Sequence, residues 1–234
     1  MPVAENIADV RGRIAAAARR AARDPGEITL MAVSKTFAVE HIREAYAAGV
    51  RIFGENRVQE FTGKAALLAD LEDAEWHMIG HLQSNKAAAA AEVFTAIDSL
   101  DSLRLAEKLN ASAKKLAKKL GVLIEINVGG ESAKSGLAPD SGELEELLIA
   151  ARELEHLEFL GLMTIPPFTE NAQEARPYFR QLRALRDQIA ARRLPAVRVD
   201  VLSMGMSHDF EIAIDEGSTC VRVGTAVFGP RRGY

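Results

Sequence analysis

Residues 29–56 read TLMAVSKTFAVEHIREAYAAGVRIFGEN. A short apolar run is followed by a stretch with apolar residues at helical spacing that ends on glycine, and then by a second apolar run. That order predicts a β-strand, an amphipathic helix and a second strand. Two strands joined through a helix lie parallel and cross over right-handedly, so the segment is one βαβ unit. The unit recurs. Runs of the same kind stand at TLMAVSK (29–35), RIFGEN (51–56), EWHMIG (75–80), VFTAIDS (93–99), VLIEINV (122–128), FLGLMTI (159–165), VDVLSMG (199–205) and CVRVGTAVFG (220–229). The fourth tolerates helix as well as strand. Between them lie helical stretches such as LRLAEKLNASAKKLAKKLG and ARPYFRQLRALRDQIAARR, and an amphipathic helix precedes the first strand.

Eight strands alternating with helices in 234 residues close most economically into an α/β fold of the (β/α)8 type, with the opening helix as an addition. No Pro/Gly/Ser-rich linker or internal repeat divides the chain, so residues 1–234 are expected to form one domain. An open doubly wound sheet is the alternative, but no GxGxxG follows the first strand.

The formal net charge is -4, with both signs interspersed. This gives no one-signed face for nucleic acid or a membrane surface, so neither is expected as a partner. The opening segment is amphipathic rather than a signal peptide, and no run of about 18 apolar residues predicts a span. The single cysteine, Cys220, cannot form an internal disulfide and suits a reducing compartment, so a cytoplasmic location is expected.

Ligand sites of such barrels lie at the carboxyl ends of the strands. Strand alternation puts Met31, Val33 and Lys35 on one face; if that face is inward, Lys35 stands at the mouth. Asn56 and Met78 end the second and third runs, and Glu125 and Asn127 share a parity near the end of the fifth. Arg222 and Gly224 face inward on the last strand if Val221 and Val223 pack outward. Runs seven and eight end in SMGMS (203–207, from Ser203 through Met206 to Ser207) and VGT (223–225, ending at Thr225). Loops after strands seven and eight form the usual phosphate site, with backbone N–H donors expected from Gly205, Met206, Ser207, Gly224 and Thr225. Ser207 is also read as the cap of the helix in SHDFEIAIDEG. A desolvated lysine amine able to attack a carbonyl, an anion cradle and a facing arginine together match what pyridoxal 5'-phosphate requires: a Schiff base, a phosphate grip and a partner for the ring nitrogen.

The segments AVSKT, FGENRVQE, WHMIGHLQSNK, INVGGESAKSG, GLMTIPP, LSMGMSHDFEIAI and GSTCVRVGTAVFG resemble, in order and from about Ile28 to Gly229, the pyridoxal phosphate homeostasis protein family. That family is similar to the amino-terminal barrel domain of alanine racemase. The resemblance implies a barrel carrying pyridoxal 5'-phosphate on Lys35, with Asn56 beside the cofactor and Ser207, Gly224 and Thr225 at its phosphate. The candidate cofactor-binding set is therefore Lys35, Asn56, Met78, Ser203, Met206, Ser207, Arg222, Gly224 and Thr225, with no catalytic residue and no metal ligand. The implied role is to hold, buffer and deliver the cofactor, with apo forms of enzymes that use it as recipients and a monomer as the expected state. Cys220 stands where relatives often carry methionine.

Other readings compete at several positions. Lys35 alone could be a lysine snorkelling from a strand end. Arg222 could pair structurally with Glu125 or Asp200. His77 and His81 lie four apart without a cysteine nearby and are read as structural rather than metal-binding. Ser135 and Gly136 are expected in a mobile loop, Lys134 and Lys86 as solvated or as alternative amines, and the lysines of KKLAKKLG (114–121) on a solvated helix face. The alternative function is an amino acid racemase. That reaction needs a second acid/base group, which alanine racemase takes from a tyrosine of a carboxyl-terminal β domain not expected here. Tyr46, Tyr178 and Tyr234 fall in predicted helices or at the terminus. A sugar-phosphate barrel enzyme would need a carboxylate and lysine pairing that these strand ends do not offer.

Overall fold

The computed structural model describes residues 2–131 and 134–230. Eight strands form a closed, all-parallel barrel in sequence order: β1 (Thr29–Val33), β2 (Ile52–Glu55), β3 (Glu75–Met78), β4 (Ala96–Leu100), β5 (Leu120–Glu125), β6 (Leu157–Met163), β7 (Val197–Met206) and β8 (Cys220–Val223). Closure leaves no sheet edge to protect. It is made by β1 and β8, where Met31 stands beside Arg222 and Ala32 beside Val223. All eight predicted strands are present, the fourth included, although Val93 belongs to the preceding helix.

Helix α1 (Val3–Arg20) precedes β1, and α2 (Val39–Ala47), α3 (Val58–Ala65), α4 (Ala87–Val93), α5 (Leu103–Lys115), α6 (Gly142–Ala150), α7 (Arg176–Ala191), α8 (Phe210–Asp215) and α9 (Thr225–Phe228) follow the strands in turn. The apolar stripe of α1, from Val3 through Ile7, Val10 and Ile14 to Ala17, is buried, as its spacing of three and four dictates. Asn6 Nδ2 donates to the Val227 carbonyl at 2.9 Å, and Arg13 pairs with Glu211 at 2.7 Å. These contacts seat the additional helix against α8 and α9.

Alternation sorts the strand residues as the sequence predicts on β1 and β8. Met31, Val33, Ile79 and Cys220 form the inner cluster, with Ile52 and Val201 packed on it. Val221 and Val223 join the outer core against the helices, together with Phe53, Phe61 and Phe94. The predicted extent of α5 is corrected. It stops at Lys115, Ala117 takes a left-handed φ of 51°, and Gly121 lies inside β5 rather than ending the helix. Lys118 is therefore off the helix, donating to the Phe94 carbonyl at 3.0 Å.

Below the mouth, His77 shares a hydrogen bond of 2.9 Å with Asp98, which is fully buried. Burial alone would lower the imidazole pKa, but Asp98, helped by Glu75, outweighs it and holds it up at about 9, against an ordinary 6.5. A raised folded-state pKa stabilises the fold fully below about 6.5, and that stabilisation is lost as pH rises through about 9. Urea midpoints are therefore expected to fall between pH 6.5 and 9 and to lose that slope in Asp98→Asn. An unchanged slope in the variant would assign the pH dependence to other groups.

Candidate functional site

Lys35 lies two residues past the end of β1, half-buried, on the inward parity of Met31 and Val33. The turn that follows is strained. Thr36 has a φ of 69°, rare for a β-branched residue, and strain of this kind costs about 1–3 kcal/mol. Its N–H is held at 2.7 Å by Glu60 Oε1. Glu60 in turn accepts from Lys64 at 2.8 Å, and Lys64 also reaches Glu55 at 3.3 Å. Glu55 is buried on the outward face of β2 and accepts from Ser34 Oγ at 2.8 Å. Burial pushes the Glu55 carboxyl above its ordinary range, with Lys64 and Ser34 pulling it back. A chain of ionic hydrogen bonds between β1, β2 and α3 thus fixes the segment carrying Lys35. The i,i+4 pairing of Glu60 and Lys64 is the sequence signal that could have flagged it.

Asn56 follows β2 with the inward parity of Ile52 and Gly54. Its Oδ1 is buried without a hydrogen-bond partner, an expensive state for an amide acceptor. Gly80 packs on it so closely that a Cβ there would lie 2.6 Å from the Asn56 carbonyl oxygen. Met78, predicted at the site, faces the other way. It pairs in register with outward Glu55, is buried in the outer core, and leaves His77 on β3 and Ile79 just past its end as the inward residues. The prediction followed position along the run rather than parity.

On β7 and β8 the guanidinium of Arg222 is buried inside the barrel. It donates to Ser203 Oγ at 2.8 Å and to the Thr164 carbonyl at 2.7 Å. Burial pushes its pKa down, opposed by charges that include Asp98, Glu125 and Asp209. Among the described residues no carboxylate lies within ion-pair distance of it, and Asp200 pairs instead with Arg198 at 2.9 Å. The structural ion-pair reading is thereby set aside. Thr164 contributes through a carbonyl, which side-chain chemistry cannot announce.

Ser207 Oγ accepts from the N–H groups of Gly224 and Ala226, both at 3.3 Å, tying the loop after β7 to the loop after β8. It does not cap α8, whose N-cap is Asp209. The expected Met206 donor is already engaged, because its N–H goes to Asp209 Oδ1 at 2.6 Å. Gly205 allows this turn. Its φ is 95°, and a Cβ would meet Ala213 Cβ at 2.6 Å. Gly224 sits against Val33, two residues before Lys35, where an added Cβ would touch Val33 Cβ at 3.5 Å. Lys35, Asn56, Ser203, Ser207, Arg222, Gly224 and Thr225 thus gather at the carboxyl end of the barrel; Met206 keeps its place there without a spare N–H, and Met78 is turned away.

Two carboxyl groups complete the surroundings. Glu125 is buried, accepts from Ser135 Oγ at 3.0 Å and leaves Oε2 without a partner; burial pushes its pKa up. The segment expected to be mobile is tied there, since Leu137 N–H donates to the Glu125 carbonyl at 2.8 Å and Asn127 N–H to the Leu137 carbonyl at 2.9 Å. Lys134 reaches Glu131 Oε1 at 3.2 Å and the Pro166 carbonyl at 3.3 Å, so it is not simply solvated. His81 bonds Asp101 at 3.0 Å, and among the described residues no group of histidine, cysteine, aspartate or glutamate could hold a metal ion. Tyr46 bonds Asp73, Tyr178 lies in α7, and Tyr234 is outside the described residues.

Comparison with known proteins places this geometry. The family model described as "Alanine racemase, N-terminal domain" matches residues 6–232. A protein of Aquifex aeolicus named pyridoxal phosphate homeostasis protein is 47% identical over 99% of this chain and 100% of its own length. The Escherichia coli K12 protein of the same name is 46% identical over 98% and 97%. Among solved structures, PipY of Synechococcus elongatus with PLP bound superposes with a TM-score of 0.84 at 39% identity, covering 97% of this chain and 100% of that one. Alanine racemase of Clostridium difficile shares the fold at a TM-score of 0.70 and 18% identity, this chain matching 56% of its length.

Proposed function

Because this chain belongs to the pyridoxal phosphate homeostasis protein family, we propose that it binds pyridoxal 5'-phosphate through Lys35 and holds the cofactor for delivery rather than for turnover. The observation that carries this reading is Arg222, a guanidinium buried under the barrel mouth and held by Ser203 and Thr164, with no carboxylate among the described residues bonded to it. The residues fit the group. Asn56 Oδ1 is a buried acceptor without a donor, and the Gly224 and Ala226 N–H groups, now both donated to Ser207 Oγ, converge on one point where an anion would have to replace that hydroxyl as their acceptor.

Bound pyridoxal 5'-phosphate supplies an aldehyde that condenses reversibly with an amine and a pyridine nitrogen whose protonation sets its power as an electron sink. Lys35 supplies the amine, oriented by the Thr36 turn that Glu60 and Lys64 hold. Ser207, Gly224 and Thr225 would hold the phosphate, and Asn56 would lie beside the ring. Arg222 would stand behind the pocket as a fixed positive charge, and against the ring nitrogen it would disfavour protonation there, which suits a carrier. Among the described residues no helix is long and apolar enough to cross a membrane. A buried lone Cys220 supports a reducing, cytoplasmic setting. We further propose one barrel domain acting as a monomer, with apo forms of enzymes that use the cofactor as recipients.

The phosphate grip makes the reading testable. Two charge-assisted hydrogen bonds contribute about 3 kcal/mol or more, roughly two orders of magnitude in affinity. Pyridoxal lacking the phosphate is therefore expected to bind about a hundredfold more weakly in an equilibrium titration. Equal affinities would remove the cradle from the site, and failure of the loaded protein to reactivate an apo-enzyme would remove delivery from the function.

A further inference from the structure

We propose that the amino-terminal mouth of the barrel is a second ligand site, one that takes a small organic ammonium ion. Barrel interiors are ordinarily filled by stacked layers of side chains. Here the starts of the strands enclose instead a cavity of about 470 Å³, within the range of small-molecule sites. It opens at the end opposite Lys35. The lining is short at Ala96, whereas Gly121 beside it is already covered, since an added Cβ there would come to 3.4 Å from Ala96 Cβ and 3.1 Å from Leu160 Cδ1. Ile52, Leu160 and Val201 are left partly exposed on its walls although all three line the cavity. An apolar body seated there would cover them.

The polar side of the cavity is unfinished. Asp98 is fully buried and spends Oδ1 on His77, but its Oδ2 has no partner. His77 Nε2 is also without a hydrogen bond, Glu75 Oε2 standing 3.6 Å away. An orphaned buried carboxylate oxygen carries an unrecovered desolvation cost, which a ligand N–H would offset. Charge selects the ligand's sign. On the rim, Glu27 is matched by Arg23 at 3.3 Å and Asp200 by Arg198 at 2.9 Å. Of the cavity's own residues, Asp98 and Glu75 face only the imidazole of His77, while the Arg222 guanidinium acts on Asp98 from the layer above, so the lining carries more carboxylate than cation but is not without a buried positive charge nearby. Among the described residues no set of side chains is arranged for a metal ion. Carbon walls and one spare carboxylate oxygen call for an ammonium with an apolar body.

This site is independent of the cofactor reading, and the probe keeps the two apart. N,N-dimethylbenzylammonium carries one N–H for Asp98 and, being tertiary, cannot condense with an aldehyde at the other mouth. Titrated into the full-length holo-protein and followed by amide chemical shifts, it is expected to bind saturably, with shifts centred on Ala96, Asp98 and Cys220 and not on Gly224. Benzyl alcohol should bind at least tenfold more weakly, and benzoate should not compete. Asp98→Asn should weaken the ammonium at least tenfold. If that buried change unfolds the protein, Val201→Phe, at a partly exposed wall position, fills the cavity and should abolish binding while the protein remains folded by circular dichroism. Absence of saturable binding, equal affinity for the alcohol, or binding unchanged by Val201→Phe would overturn the proposal.

Discussion

Lys35→Ala protein is expected to purify without the yellow colour of the wild type, and borohydride reduction of the wild type is expected to fix the cofactor to the peptide containing Lys35. The effect should be close to complete, because the position of Lys35 on the inward parity of β1 sets it apart from the other lysines of the strand-end loops. Lys64 is bound between Glu60 at 2.8 Å and Glu55 at 3.3 Å. Lys134 is engaged by Glu131 and the Pro166 carbonyl, and Lys86 sits in the 3-10 turn before α4. Lys35 alone follows a strand whose inward parity it continues, and the left-handed Thr36 turn sets its direction. Residual noncovalent binding through the phosphate grip should persist in Lys35→Ala. A reduced adduct mapping chiefly to Lys86 or Lys134 in the wild type would overturn the assignment.

The Thr36 turn should be maintained by Glu60 more than by its own preference, since a β-branched residue gains nothing from a positive φ. The carboxylate of Glu60 is held below its ordinary range although burial pushes it up, because Lys64 and the Thr36 N–H outweigh burial. Placement of the cofactor's amine is thus built from a strand end, a strained turn and a helix salt bridge, of which only the strand end is conspicuous in the sequence.

That unevenness runs through the whole site. The barrel was legible because β-strand and helix periods alternate without a break from residue 29 onward, and inward parity on β1 and β8 follows from alternation alone. Lys35, Arg222 and Gly224 could be placed at the mouth for the same reason, whereas Asn56 is reached only as the end of a run and Ser207 only from the rule for loops after strands seven and eight. Met78 could not, because the last residue of a run is inward only if its parity is, and the strand ends there one residue short of Ile79. Ser207 and Asp209 compete for the start of α8, and a sequence does not show that Ser207 will be drawn across to the Gly224 and Ala226 amides. Once Asp209 closes its own turn on the Met206 N–H, the donor expected there is spent. Backbone partners such as the Thr164 carbonyl leave no trace in side-chain chemistry.

Arg222 bears the other large expectation. The guanidinium spans two acceptors on neighbouring strands, so Arg222→Ala leaves Ser203 Oγ and the Thr164 carbonyl without their donor and opens a hole in a layer that Met31 and Cys220 cannot fill. A loss of about 3 kcal/mol in stability is expected from the unsatisfied carbonyl and lost packing. Arg222→Lys should recover only part of it, since a point charge cannot make both bonds with a fork's geometry. For function the expected change is weaker cofactor binding, not a new reaction. A guanidinium at the ring nitrogen would leave little electron withdrawal for a carbanion, and neither Tyr46, at a bond to Asp73, nor Tyr178, in α7, stands at the mouth to exchange a proton on a second face. Wild-type protein incubated for long periods with L-alanine and other common amino acids should therefore show negligible racemisation by chiral chromatography. Sustained multiple turnovers that vanish in Lys35→Ala would make this barrel an enzyme and overturn its reading as a carrier.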